Sequence, residues 1–173
     1  MLKPLKKKDL HLGNGRFAII ASEYNELYVN AMLRAAKTEL KRAGAKQVSV
    51  FRVPGAFEIP VLAARLARLS SHASCITHHD PPFSAVICLG VILRGETAHA
   101  AHIGEAVSQA LMQIQLKYEV PVIHEVLLLE NEAQARVRCL GPKHNRGAEA
   151  AQTALAMAGI LASPSLNISN PKC

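Results

Sequence analysis

The chain has 173 residues, half of them hydrophobic, and 20 Lys and Arg against 13 Asp and Glu give it a formal charge of +7. That length supports one buried core and is short for two, and no run approaches the roughly 20 apolar residues of a membrane-spanning helix. The charge does not indicate nucleic acid: Lys3, Lys6, Lys7 and Lys8 crowd one end, aromatics are 4% with no Trp, and no base-stacking or groove-reading motif is legible.

Residues 1–15 read as a solvated basic arm. No apolar stretch follows the lysines, so the arm does not read as a secretory signal and the expected home is the cytoplasm or an organelle matrix. From residue 16 to 162 one domain is expected. Phe17 to Ser22 is an apolar run without helical period, hence a strand. Asn25 to Ala43 puts Val29, Met32, Leu33, Ala36 and Leu40 on one helical face, stopped by Gly44. Gln47 to Val53 alternates and is rich in valine, and Pro54-Gly55 turns the chain into a helix, AFEIPVLAARLARL, with Pro60 in its tolerated first turns.

Residues 70–82, SSHASCITHHDPP, are an inserted loop. Its His72, Cys75, His78, His79 and Asp80 match no zinc or iron spacing and read as surface residues. Ser84 to Leu93 is a strand apolar enough to be covered on both faces, followed by a helix turning Ile103, Val107, Leu111 and Ile114 inward. Val120 to Leu129 is a fourth strand. Asn131 to Leu140 and Ala148 to Ala162 are helical, separated by GPKHNRG, and residues 163–173 form a frayed tail in which the Asn167 sequon carries little weight. Cys75, Cys88, Cys139 and Cys173 include no C-x-x-C pair and read as reduced, Cys88 as a core residue. No metal site is expected.

Strands alternating with helices make a three-layer α/β/α sandwich with a four-stranded, mainly parallel, flavodoxin-like sheet. Such sheets bind ligands beyond the carboxyl ends of their strands. That rule gathers Ser22 to Asn25, Pro54 to Glu58, Arg94 to His99, and His124 at one rim. The stretch VILRGETAHAAH, residues 91–102, turns from apolar to polar because its strand ends at the floor of a site.

Three segments carry a resemblance. Val-Pro-Gly-Ala-Phe-Glu-Ile-Pro at 53–60, Arg-Gly-Glu-Thr-Ala-His at 94–99 and Gly-Pro-Lys-His-Asn-Arg-Gly-Ala-Glu-Ala at 141–150 resemble the lumazine synthase family, in order, from about Arg16 to Leu161. The resemblance implies a transferase of riboflavin biosynthesis. It condenses 5-amino-6-(D-ribitylamino)uracil with 3,4-dihydroxy-2-butanone 4-phosphate to 6,7-dimethyl-8-ribityllumazine, phosphate and water, with no cofactor. It places Tyr24 against the pyrimidine face, Ala56, Phe57 and Glu58 along the ribityl chain, and the backbone of Ile92 and Leu93 at the pyrimidine edge. His124 stands where the family commonly carries Phe beside the ring. Gly95, Glu96 and Thr97, opening a helix, would seat the phosphate with Arg138 from a neighbouring subunit, and His99 would transfer protons. Asn25 and Arg146 stand as further candidates.

No family role attaches to His102, which reads as surface or packing. The resemblance further implies a homopentamer, in some members closed into an icosahedral shell of sixty copies, with small-molecule substrates and no nucleic-acid or membrane partner. Departures at Ala100, His124, Leu127 to Leu129, Pro142 and Arg146 leave an alternative: a catalytically altered flavin- or ribityl-binding homologue, or a shell-forming one. Plainer roles also exist for single residues: Glu58 as a first-turn acid on a helix dipole, Arg138 as a solvated charge, Tyr24 as a cap on the core. A flavodoxin-like carrier lacks support because no phosphate loop follows the first strand.

Overall fold

In the computed structural model, residues 15–71, 82–141 and 144–163 are described. Most of the basic arm, nearly all of the inserted loop with its histidines, Pro142, Lys143 and nearly all of the tail lie outside the described residues.

Four strands, β1 (Arg16–Ser22), β2 (Gln47–Val53), β3 (Ala85–Leu93) and β4 (Val122–Leu129), form one parallel sheet in the order β2-β1-β3-β4. β1 and β3 are central, and both are buried almost throughout. Their alternation feeds two cores. Phe17, Ile19 and Ala21 meet α1 (Glu26–Arg42) and α5 (Arg146–Leu161) on one face, while Ala18 and Ile20 meet α2 (Ile59–Ser71) and α3 (His99–Tyr118) on the other. A strand covered on both sides favours apolar residues at every interior position, which explains the apolar runs between their polar ends, as at Arg16 and Ser22 of β1. The expected three-layer architecture is the observed one.

The ends of the elements differ from expectation for local reasons. β4 starts at Val122, two residues later than the apolar run suggested, because Pro121 has no N–H to give to a ladder; its carbonyl instead accepts from Val86 N at 2.8 Å. The stretch expected as one helix over 131–140 is a single turn, α4 (Glu132–Ala135), continuing into a wider π-helical turn, Arg136–Leu140. Asn131 caps it, accepting from Gln134 N at 3.0 Å. α5 begins at Arg146 rather than Ala148 because the Asn145 side chain accepts from Gly147 N at 2.9 Å and so caps the helix early. Cys88 is fully buried, as expected, and burial pushes its thiol up, away from reactivity. Among the described residues no helix is long and apolar enough to cross a membrane.

α5 packs directly on α1. At Gly147 the two backbones approach so closely that a Cβ would lie 2.0 Å from the Met32 carbonyl oxygen. Main chain cannot yield as a flexible side chain can. Gly147→Ala is therefore expected to cost about 3 kcal/mol or more, read as a lower denaturant midpoint at unchanged slope.

Candidate active site

A cleft of about 650 Å³ opens at the carboxyl ends of the central strands. Its floor is the end of β3, Val91 to Leu93. One wall is Gly55 and the 3-10 turn Ala56–Glu58 that leads into α2; the other is the α3 face carrying His99, His102, Ile103 and Ala106; Tyr24 and Asn25 form the lip. The strand-end rule thus brings together eight of the expected site residues from three separate crossovers, because all four strands point the same way.

Short-range bonds hold the lip. Glu23 N donates to Val53 O at 2.9 Å and Tyr24 N to Pro54 O at 3.2 Å, which ties the turn after β1 to the end of β2. Asn25 adopts a left-handed conformation (φ 57°), one that asparagine accepts more readily than most residues. Its side chain donates to Val91 O at 2.8 Å and so clamps the same turn to β3. Asn25 is thereby a spacer for Tyr24, whose ring remains 73% exposed and ready to be covered. Gly55 has an equally local reason. A Cβ there would stand 2.8 Å from Glu58 Oε2 and 3.3 Å from the Tyr24 ring, so its absence lets ring and carboxylate draw together.

His99 is the first residue of α3 and is exposed to the cleft. Gly95, Glu96 and Thr97 do not open the helix, as the sequence suggested; they form an exposed turn ahead of it and do not line this cleft. Ala98 occupies the cap position without a side-chain bond, and the first backbone bond of the helix runs from His102 N to Ala98 O at 3.2 Å. The donors without a helical partner are therefore those of His99 to Ala101, at the cleft mouth.

Three expected residues lie elsewhere. His124 sits near the amino end of β4, not at the carboxyl rim, because the strand starts only two residues before it; its Nε2 is 2.9 Å from Ser108 Oγ on the outer side of α3. Arg138 lies in the exposed π-helical turn, which packs on the α1 and α5 layer, across the sheet from the cleft. Arg146 is already committed: its Nε and one terminal nitrogen grip Glu125 at 3.0 and 2.8 Å, and the other terminal nitrogen reaches Glu149 at 2.6 Å. That fork makes Arg146 a structural ion-pair partner rather than a ligand for substrate. Ala100, flagged as a departure, is buried in the core beneath α3.

The sequence passed over His102, Val91, Ile103, Ala106 and Gly55. Helical spacing held the signal for three of them, since 99, 102, 103 and 106 share one face.

Residues 14–162 match the family of 6,7-dimethyl-8-ribityllumazine synthase. The chain belongs to that family. Proteins named 6,7-dimethyl-8-ribityllumazine synthase from Stenotrophomonas maltophilia (strain R551-3) and Xanthomonas oryzae pv. oryzae (strain PXO99A) are each 36% identical to it. The first aligns over 150 residues, 86% of this chain and 90% of its own length. The second aligns over 155 residues, 88% and 94%. The matched span contains every residue that lines the cleft, from Tyr24 to Ala106.

The Glu125 carboxyl is 6% exposed, and burial drives its pKa up to about 7 against the opposing pull of Arg146. Arg146→Met leaves burial and Glu149 to raise it further. The folded variant then binds a proton that the unfolded chain, with an ordinary carboxyl near 4.3, releases. Its stability is fully present below that value and lost as pH rises through the raised one. Arg146→Met is expected to lose on the order of 3 kcal/mol at pH 8 and visibly less at pH 5, measured by urea unfolding at both.

Proposed function

We propose that this chain is a lumazine synthase. It joins 5-amino-6-(D-ribitylamino)uracil to 3,4-dihydroxy-2-butanone 4-phosphate and releases 6,7-dimethyl-8-ribityllumazine, phosphate and two molecules of water. The observation that carries the reading is the convergence, in a chain of this family, of Tyr24, Glu58 and His99 on one cleft floored by strand-end backbone. The reaction runs through a Schiff base, loss of phosphate and closure of a ring, so the protein's task is to align two molecules and move protons.

Each group fits a part of that task. The exposed face of Tyr24 stacks on the flat uracil. Backbone at Ile92 and Leu93 meets the edge of the heterocycle, and Glu58 with the Ala56 and Phe57 backbone receives the hydroxyls of the ribityl chain, for which a carboxylate is the fitting acceptor. The unpaired amides at the start of α3, with the turn at Gly95, Glu96 and Thr97, receive the phosphate. His99, beside that seat, moves protons at neutral pH.

The same reading gives Arg138 and His124 to an adjoining copy. Both are exposed on the outer parts of this subunit while its own cleft lacks a guanidinium among the described residues. A head-to-tail ring in which each copy lends Arg138 to the next supplies it, and five copies close the ring. A location in the cytoplasm belongs to this reading too. Presence of His99, Glu58 and Tyr24 in one cleft favours turnover over a role confined to ligand binding or shell building.

Purified protein incubated with the two substrates is expected to produce the lumazine's fluorescence, with kcat lowered about 10²- to 10⁴-fold by His99→Ala. Lack of product from the wild-type protein would overturn the assignment. Arg138→Ala and His99→Ala proteins, each inactive alone, are expected to recover about a quarter of wild-type activity when refolded together. Half the clefts keep His99, and half of those gain an intact arginine from the next copy around a ring. No recovery would mean that each copy completes its own site.

A further inference from the structure

We propose that His102 is a second proton-transferring residue of the cleft, acting on the carbon–nitrogen condensation while His99 serves the phosphate end. The inference rests on the reading above and extends it to a residue that reads, from sequence, as surface or packing.

The geometry separates two imidazoles by one helical turn. His99 and His102 stand on the same face of α3, both lining the cleft, with Ile103 and Ala106 continuing that face inward. Three residues of helix displace His102 about 4.5 Å along the axis, away from the unpaired amides and the turn at 95–97. Helix positions three apart bring their side chains within about 6 Å at Cβ, so both rings can touch one bound intermediate at different atoms. The His102 ring is exposed and, among the described residues, makes no hydrogen bond to another side chain. His124 contrasts with it, its ring engaged by Ser108.

The chemistry asks for more than one such group. A phosphate and two waters leave, and each departure occurs at a different carbon of the four-carbon unit. In the first, the amine of the uracil has added to the ketone, giving a carbinolamine. The C–O bond breaks, the hydroxyl departs as water with a proton supplied to it, the nitrogen gives up its own proton, and the C=N bond forms. An imidazole that accepts the nitrogen's proton and gives one to the hydroxyl ends the step unchanged. His99, next to the unpaired amides of the helix start, is placed for the proton traffic of phosphate loss; His102, one turn further along α3, is placed for this dehydration.

The test uses the full-length protein, with His102→Gln to keep size and polarity and His102→Gly to leave room for an added base. His102→Gln is expected to lower kcat about 100-fold or more with KM changed only a few-fold, and its melting temperature should match wild type because the ring is exposed. Phosphate release and lumazine fluorescence should fall together, since dehydration precedes elimination. Added imidazole should raise the rate of His102→Gly at least tenfold and leave wild type unaffected. The proposal is overturned if His102→Gln stays within threefold of wild-type kcat, if its loss is accompanied by a melting temperature about 10 °C lower, if phosphate is released at the wild-type rate while fluorescence falls, or if imidazole restores nothing. Absence of product from the wild-type protein is the separate failure of the functional reading; an active wild type with an equally active His102→Gln leaves that reading standing and removes this one alone.

Discussion

Parallel pairing of β3 between β1 and β4 is the constraint on which the rest depends. Val86 pairs with Val122 and Leu93 with Leu129 in register, and Phe17 to Ala21 of β1 run alongside Ala85 to Leu89 in the same sense. Strands that share a direction share a carboxyl edge. Every segment leaving that edge begins with backbone groups no longer used by the ladder and with side chains released from the two cores. The cleft is the space between two such departures, the turn into α2 and the start of α3, floored by the last residues of β3. Reversing any one strand would send its segment to the opposite end of the molecule.

Around that edge the stabilising and functional demands are divided between residues rather than shared. Asn25 spends its side chain on Val91 and its backbone on a left-handed turn, which leaves the neighbouring Tyr24 ring free. Gly55 has no side chain, which leaves room for the ring and the Glu58 carboxylate to approach. Arg146 is bound by two carboxylates on the far side of the sheet and holds β4 to α5, so a cation that could have served a phosphate serves the fold. Among the described residues no guanidinium lines the cleft, and the function proposed above therefore draws one from a neighbouring copy.

Much of the candidate site was readable because its positions are local in sequence. The turn at 54–58 and the strand end at 91–93 each place a group by a few consecutive residues, and helical spacing already put His102 beside His99 once α3 was known to start there. The placement of residues that depend on partners distant in sequence was not legible. His124 was grouped with the rim although it lies partway along its segment; in the fold it is the third residue of β4, whose carboxyl end is Leu129. Arg146 looked available because Glu125, 21 positions away, carries no sequence signal of being its partner.

What the sequence determined by itself was the alternation of apolar strands and amphipathic helices, hence the layered parallel sheet, and the three polar turns that follow its strands. Burial of a two-faced strand and the period of a helix are properties of neighbours along the chain, so composition and spacing record them. Only the tertiary structure decided which of the exposed cations and imidazoles meet at one cleft, because that depends on where the helix actually starts, which carboxylate claims which arginine, and how closely two backbones can approach at a residue without a side chain.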